Sequence, residues 1–154
     1  MKPINIAITA ACFSGNKGAA AMLQSSIKQL RERYGEKLNI FLMSTYPGAD
    51  RKLIAEMPEK YDFIKVVNAK PERLLFLAFP LSILYSFLRF IPPFRKLLQM
   101  DKIIKAYSQC DIVIDEAGIS FVDSRGFIMN TYAFVCAAAV SYTHLRAHET
   151  RSNL

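Results

Sequence analysis

The chain has 154 residues, 52% of them hydrophobic and 21% charged. That is the length of one ordinary domain, and the composition excludes an intrinsically disordered chain. Twenty Lys and Arg against 13 Asp and Glu give a formal charge of +7, which suits an anionic partner without choosing among a phosphorylated substrate, a membrane surface and nucleic acid. Cys12, Cys110 and Cys136 are odd in number and widely spaced. This argues against a disulfide scaffold or a CxxC metal site and for free thiols in a reducing cytoplasm.

Ile4, Ile6 and Ile8 alternate with small residues and predict a buried first strand, too short and too strand-like for a signal peptide. A loop over 11–18 follows. Leu23, Ile27, Leu30 and Tyr34 then recur at helical spacing across 19–34, with Lys28, Arg31 and Glu32 on the other face. Gly35 stands where a helix C-cap glycine belongs. A second strand is expected over 38–44, then a turn at Tyr46-Pro47-Gly48. Asp50 is expected to cap a short helix reaching Met57. A third strand is expected over 63–67, an apolar stretch over 73–94, and a basic helix over about 95–108. A fourth strand follows over 110–115, then a loop over 116–126 and a largely apolar helix from about Phe127. This alternation predicts an α/β fold: an open parallel sheet with helices on both faces and right-handed crossovers.

Two loops carry the candidate chemistry. Ser14-Gly15-Asn16-Lys17-Gly18 lies between a strand and a helix. Unpaired N–H groups at the helix start, the Lys17 charge and two glycines would suit a phosphate or carboxylate. A plain strand-to-helix turn explains the same residues, and neither a Walker A loop nor GxGxxG is present. The second loop, Asp115 to Gly126, begins at another strand end and so belongs on the same rim. Asp115, Glu116 and Asp123 could hydrogen-bond sugar hydroxyls or accept a proton from an attacking one, and Gly118 would allow close backbone approach. Asp123 or Ser124 could equally cap the next helix. No catalytic residue is singled out.

Ser14-Gly15-Asn16-Lys17-Gly18-Ala19-Ala20-Ala21-Met22 resembles the opening of the polysaccharide pyruvyl transferase family, and residues 111–123 resemble its later strand, glycine-rich loop and Phe-x-Asp segment. The family often carries paired glycines where this chain has Glu116-Ala117 before Gly118. The resemblance implies transfer of a pyruvyl group from phosphoenolpyruvate to a hydroxyl of a sugar or lipid-linked oligosaccharide acceptor. The product is a ketal on a bacterial cell-surface polysaccharide or its precursor. It also implies a two-domain, GT-B-like enzyme in which residues 1–140 would form the Rossmann-like first domain. Asn16, Lys17, Gly118 and Asp123 would line the acceptor side of the cleft. The family's basic phosphoenolpyruvate-binding residues, including a histidine, belong to the second domain, so this chain alone is expected to be inactive. No cofactor or metal is expected. Two alternatives remain open: the first domain of a GT-B glycosyltransferase, or a non-enzymatic basic module at a membrane. Nucleic acid is not an expected partner, because the basic residues form no stripe interleaved with aromatics.

The stretch 74–91 has eighteen residues and one charge, Arg89, with Lys70, Arg73, Arg95 and Lys96 around it. Three placements fit: helices packed on the sheet, an interfacial helix on the anionic inner face of a membrane, or a span, which Pro80 and Arg89 weaken. The expected location is therefore cytoplasmic, with peripheral membrane contact as an option. Residues 141–154 shift abruptly in composition and resemble translated adapter read-through. His144 and His148 lie in that tail at i, i+4, and no metal site is expected there. Without its two arginines and one glutamate the balance is still +6.

Overall fold

The computed structural model describes residues 3–116, 135–140 and the backbone of 146–147. Strands β1 (Ile4–Thr9), β2 (Leu38–Ser44), β3 (Ile64–Asn68) and β4 (Ile112–Asp115) form a parallel sheet in the order β3-β2-β1-β4, and a two-residue strand β5 (Arg146–Ala147) continues it beyond β4. Ile6 pairs with Ile40 on one side and Ile112 on the other, so β1 is central. The expected open α/β sheet is therefore present.

Side-chain alternation along these strands fills two cores. On one face Ile6, Ile8, Ile40, Leu42 and Ile64 pack with Leu23 and Ile27 of helix α1 (Lys17–Tyr34) and with Tyr61 of the short helix α3 (Pro58–Tyr61). On the other face Ala7, Met43, Val67 and Val113 meet helices α4 (Pro71–Leu88), α5 (Pro92–Leu98) and α6 (Lys102–Gln109), joined by Cys136, Ala137 and Val140 from the helical residues 135–140. Burial on both faces is what a parallel sheet requires, and it explains why the strands read as nearly continuous apolar runs. Gly35 ends α1 with φ +60°, and its N–H donates to Arg31 O, as the sequence predicts.

Four expectations need correction. Helix α2 spans Pro47–Glu56, so the turn at Tyr46-Pro47-Gly48 is its first turn. Proline is pre-organised for a first helical position. Asp50 is consequently inside the helix and fully buried, and it does not cap it. The basic helix over 95–108 is two helices, broken at Asp101. The Asp101 carboxylate accepts from Ile103 N–H and Ile104 N–H and pairs with Arg73 at 2.6 Å. A side chain that caps one helix and binds another element's arginine fixes the break there. The third and fourth strands begin one and two residues later than expected, at Ile64 and Ile112.

The apolar stretch opens with one continuous helix, Pro71–Leu88. Its Leu74–Ala78 turn is π-helical, with Phe79 N–H donating to Leu74 O. The widened turn immediately precedes Pro80, which lacks an N–H and whose ring would crowd a regular α-helical turn. Leu74, Ala78, Ser82 and Tyr85 form a buried stripe on this helix. Part of the stretch is thus built into the core, as the packed placement predicts. By length and composition the helix could cross a membrane, but crossing would strip the sheet of that stripe.

Candidate functional site

In an open parallel sheet the chain leaves a central strand in opposite directions at one point, and the crevice beyond the carboxyl ends there is where ligands bind. Here that point lies between β1 and β4. Thr9 is in register with Asp115, and Glu116 N–H donates to Thr9 O at 3.1 Å. The two candidate loops therefore start from adjacent strand ends on one rim. Beyond Glu116 the second loop, with Gly118 and Asp123, lies outside the described residues. Glu116 itself is half-buried at the seam.

The first loop is organised by a residue that sequence reasoning assigned to another role. Asp50 Oδ1 accepts from Phe13 N–H at 3.1 Å, Ser14 N–H at 2.9 Å and the Ser14 hydroxyl at 2.6 Å. Its Oδ2 accepts from the Ser44 hydroxyl at 2.5 Å, and Ser44 Oγ in turn accepts from Tyr46 N–H at 2.9 Å. One buried carboxylate thus ties the exit of β1 to the end of β2. A carboxylate out of water is tolerated when its lone pairs are filled in this way. Ser14 spends its hydroxyl and its N–H on this network, so its role here is to hold the loop. The available signal was Pro47 at the start of α2, which places Asp50 one turn inside the helix and on its core side.

The glycines also have specific tasks. A Cβ on Gly15 would stand 2.6 Å from Cys12 Sγ. The close approach that Gly15 permits is therefore internal, loop against cysteine. Burial raises the Cys12 thiol's pKa, the nearby Asp50 charge adds to this, and the Gly15 N–H hydrogen bond opposes both. A Cβ on Gly18 would meet only Asn16 Oδ1, at 3.4 Å. At the exit of β1, Ala10 adopts φ +57°, a left-handed conformation usually left to glycine. The chain needs that bend to turn out of the sheet, and the alanine carries no sequence sign of it.

Asn16 caps α1, its Oδ1 accepting from Gly18 N–H at 2.8 Å. Its amide nitrogen makes no hydrogen bond among the described residues. Lys17 is exposed and makes no ion pair among the described residues. The first turn of α1 has no acidic residue, so the positive end of the helix dipole and the Lys17 charge add. The helix expected over 19–34 starts two residues earlier, so of the eight predicted site residues Ser14, Gly15 and Asn16 lie in the exposed loop, Lys17 and Gly18 form the exposed first turn of α1, and Glu116 sits at the adjoining strand end. Chemically, this rim offers donors and positive charge from the first loop beside acidic groups, Asp115 and Glu116, from the second.

A separate cavity of about 410 Å³ opens beside α1, with Ile27, Lys28, Arg31, Glu32, Tyr61 and Phe63 in its lining. These residues lie where α1 ends and β3 begins, at the amino edge of the sheet, away from the rim. No group of three or more metal-ligating side chains occurs among the described residues. No family model, curated protein or solved structure matches the chain.

Proposed function

We propose that this chain is the acceptor-binding part of a polysaccharide pyruvyl transferase-like enzyme. The observation that carries the reading is the Thr9–Asp115 register, which starts the two resembling loops side by side at the switch point. Ketal formation from phosphoenolpyruvate needs the enol phosphate protonated at its methylene carbon, two sugar hydroxyls held in place to bond the central carbon, and the phosphate that the second one displaces stabilised. The rim supplies the second requirement. The Asn16 amide and the acidic groups after β4 can hydrogen-bond a polyhydroxylated acceptor, and Lys17 can neutralise an anionic one such as a lipid-linked diphosphate sugar. The cationic groups for the donor belong to a partner domain in this reading, so the chain binds acceptor without turning phosphoenolpyruvate over.

Two measurements test this. Equilibrium binding of an acidic oligosaccharide acceptor should weaken by about tenfold in Asn16→Ala and in Lys17→Ala, each losing one good polar contact. Phosphoenolpyruvate turnover by the same protein should stay at background. Turnover above background, or acceptor binding indifferent to both substitutions, overturns the proposal. Binding of a nucleotide sugar at the rim would favour the glycosyltransferase reading instead.

A further inference from the structure

Helix α4 is apolar on both sides. Its inward stripe is Leu74, Ala78, Ser82 and Tyr85; its outward stripe includes Phe76, Ile83, Leu84 and Phe87, spaced for one helix face. A helix on a protein surface normally turns polar residues to water. Here Phe76 is 77% exposed and Phe87 75%, and Phe90, just past the helix end, is 77% exposed. Those three rings alone present roughly 400–500 Å² of apolar surface. Phe94 and Leu97 on α5, and Met100 just past its end, are exposed as well. Monomers rarely leave so large a contiguous patch to solvent without a use for it.

The charges say what covers it. From Arg73 to Met100 there is no acidic residue, while Arg73, Arg89, Arg95 and Lys96 are basic. Arg73 is neutralised by Asp101. Arg95 and Lys96 are exposed on α5, between Phe94 and Leu97 in the chain, and Arg89 lies over the Phe90 ring at 4.7 Å. Exposed phenylalanines on a helical surface, with Arg89, Arg95 and Lys96 around them and Glu72 in the first turn of α4 as the one acidic residue on the two helices, match the interface of an anionic bilayer. We infer that the outward face of α4 and α5 docks this protein on an anionic membrane surface, with Phe76, Phe87 and Phe90 entering the headgroup–acyl boundary and Arg95 and Lys96 meeting lipid phosphates. The helix lies in the interface and does not cross, because its inward stripe stays in the core. This inference rests on surface chemistry and holds whatever reaction the rim serves.

Flotation of the whole chain with vesicles of phosphatidylcholine alone, or with about one-third phosphatidylglycerol, is the test. The protein should float with the anionic vesicles and remain below with the neutral ones. Phe87→Ala with Phe90→Ala should cut the partition coefficient at least tenfold. Arg95→Gln with Lys96→Gln should cut it by a similar factor, as should raised salt. All these side chains are exposed, so the thermal midpoint should not move. Failure to float with anionic vesicles overturns the inference, as does equal binding to both vesicle types. A concentration-dependent dimer that the phenylalanine substitutions dissolve, and that excludes vesicles, assigns the patch to a second copy and overturns it as well.

Discussion

Replacing Asp50 with asparagine exchanges one oxygen for an NH2 group and tests the whole architecture of the first loop. The carboxylate accepts four hydrogen bonds, three on Oδ1 and one on Oδ2. An amide oxygen in the Oδ1 position still accepts from Phe13, Ser14 N–H and the Ser14 hydroxyl, but as a neutral group. Bonds to a charged acceptor contribute about 1.5–3 kcal/mol and neutral ones about 0.5–1.5, so weakening three of them costs about 2 kcal/mol. The amide nitrogen in the Oδ2 position is a donor and cannot accept from Ser44. Ser44 is fully buried, so its hydroxyl proton is stranded at a further cost of about 1–3 kcal/mol. Relief from burying a charge offsets part of this sum, leaving a net loss of about 2–3 kcal/mol. Urea denaturation should show a lower midpoint at unchanged slope, and the thermal midpoint should fall by about 5–10 °C for a domain of this size. Amide exchange at Phe13 and Ser14 should accelerate more than in the β1 interior. A loss below about 0.5 kcal/mol, the ordinary range for an unremarkable surface substitution, would refute the network.

Further outcomes follow from the same region and from the opposite core. Gly15→Ala should destabilise by about 1–3 kcal/mol through the clash with Cys12 Sγ, and Cys12→Ala in the same chain should recover most of it; additive losses would contradict that contact. Ala10→Gly should be neutral or stabilising by up to about 1 kcal/mol, because it relieves a left-handed alanine, and a clear loss in urea denaturation would count against the bend. Burial raises Cys110 to about 12, with the Asp111 charge adding. Burial likewise raises Cys136 to about 11, where Ser82 opposes and Asp101 adds. Burial also raises the Tyr107 hydroxyl well above its usual value, with Cys136, Cys110 and Asp115 adding. Each is neutral when folded and ionises more readily when unfolded. The unfolded chain therefore holds fewer protons above about pH 9, and stability is complete below that and falls as pH rises toward 12. A thermal midpoint flat from pH 8 to 11 would contradict the burial of these groups.

Much of the scaffold was legible because its signals are local. The Ile4, Ile6, Ile8 alternation, the Leu23, Ile27, Leu30, Tyr34 spacing and Gly35 each declare a period or a cap within a few residues. The site was legible only as a location. Strand ends give the rim, but Asp50 acts across 36 residues on Ser14, and no local pattern records that bond. It was read as a cap because acidic residues usually are, while Pro47 three positions earlier held the truer sign. Asp101 was hidden in the same way, since its partner Arg73 is 28 residues distant. The two faces of α4 were also indistinguishable in sequence: both are apolar, and only the packed sheet separates the stripe it covers from the stripe it leaves open.

Backbone amide shifts of labelled protein, recorded while an acidic oligosaccharide is titrated in, test the central claim most directly. If the β1–β4 switch point is the binding rim, the saturable shifts centre on Asn16, Lys17, Gly18 and Glu116, while the amides around Lys28, Arg31 and Phe63 stay still. Shifts confined to that α1 flank, or none at the rim at saturating ligand, would contradict it.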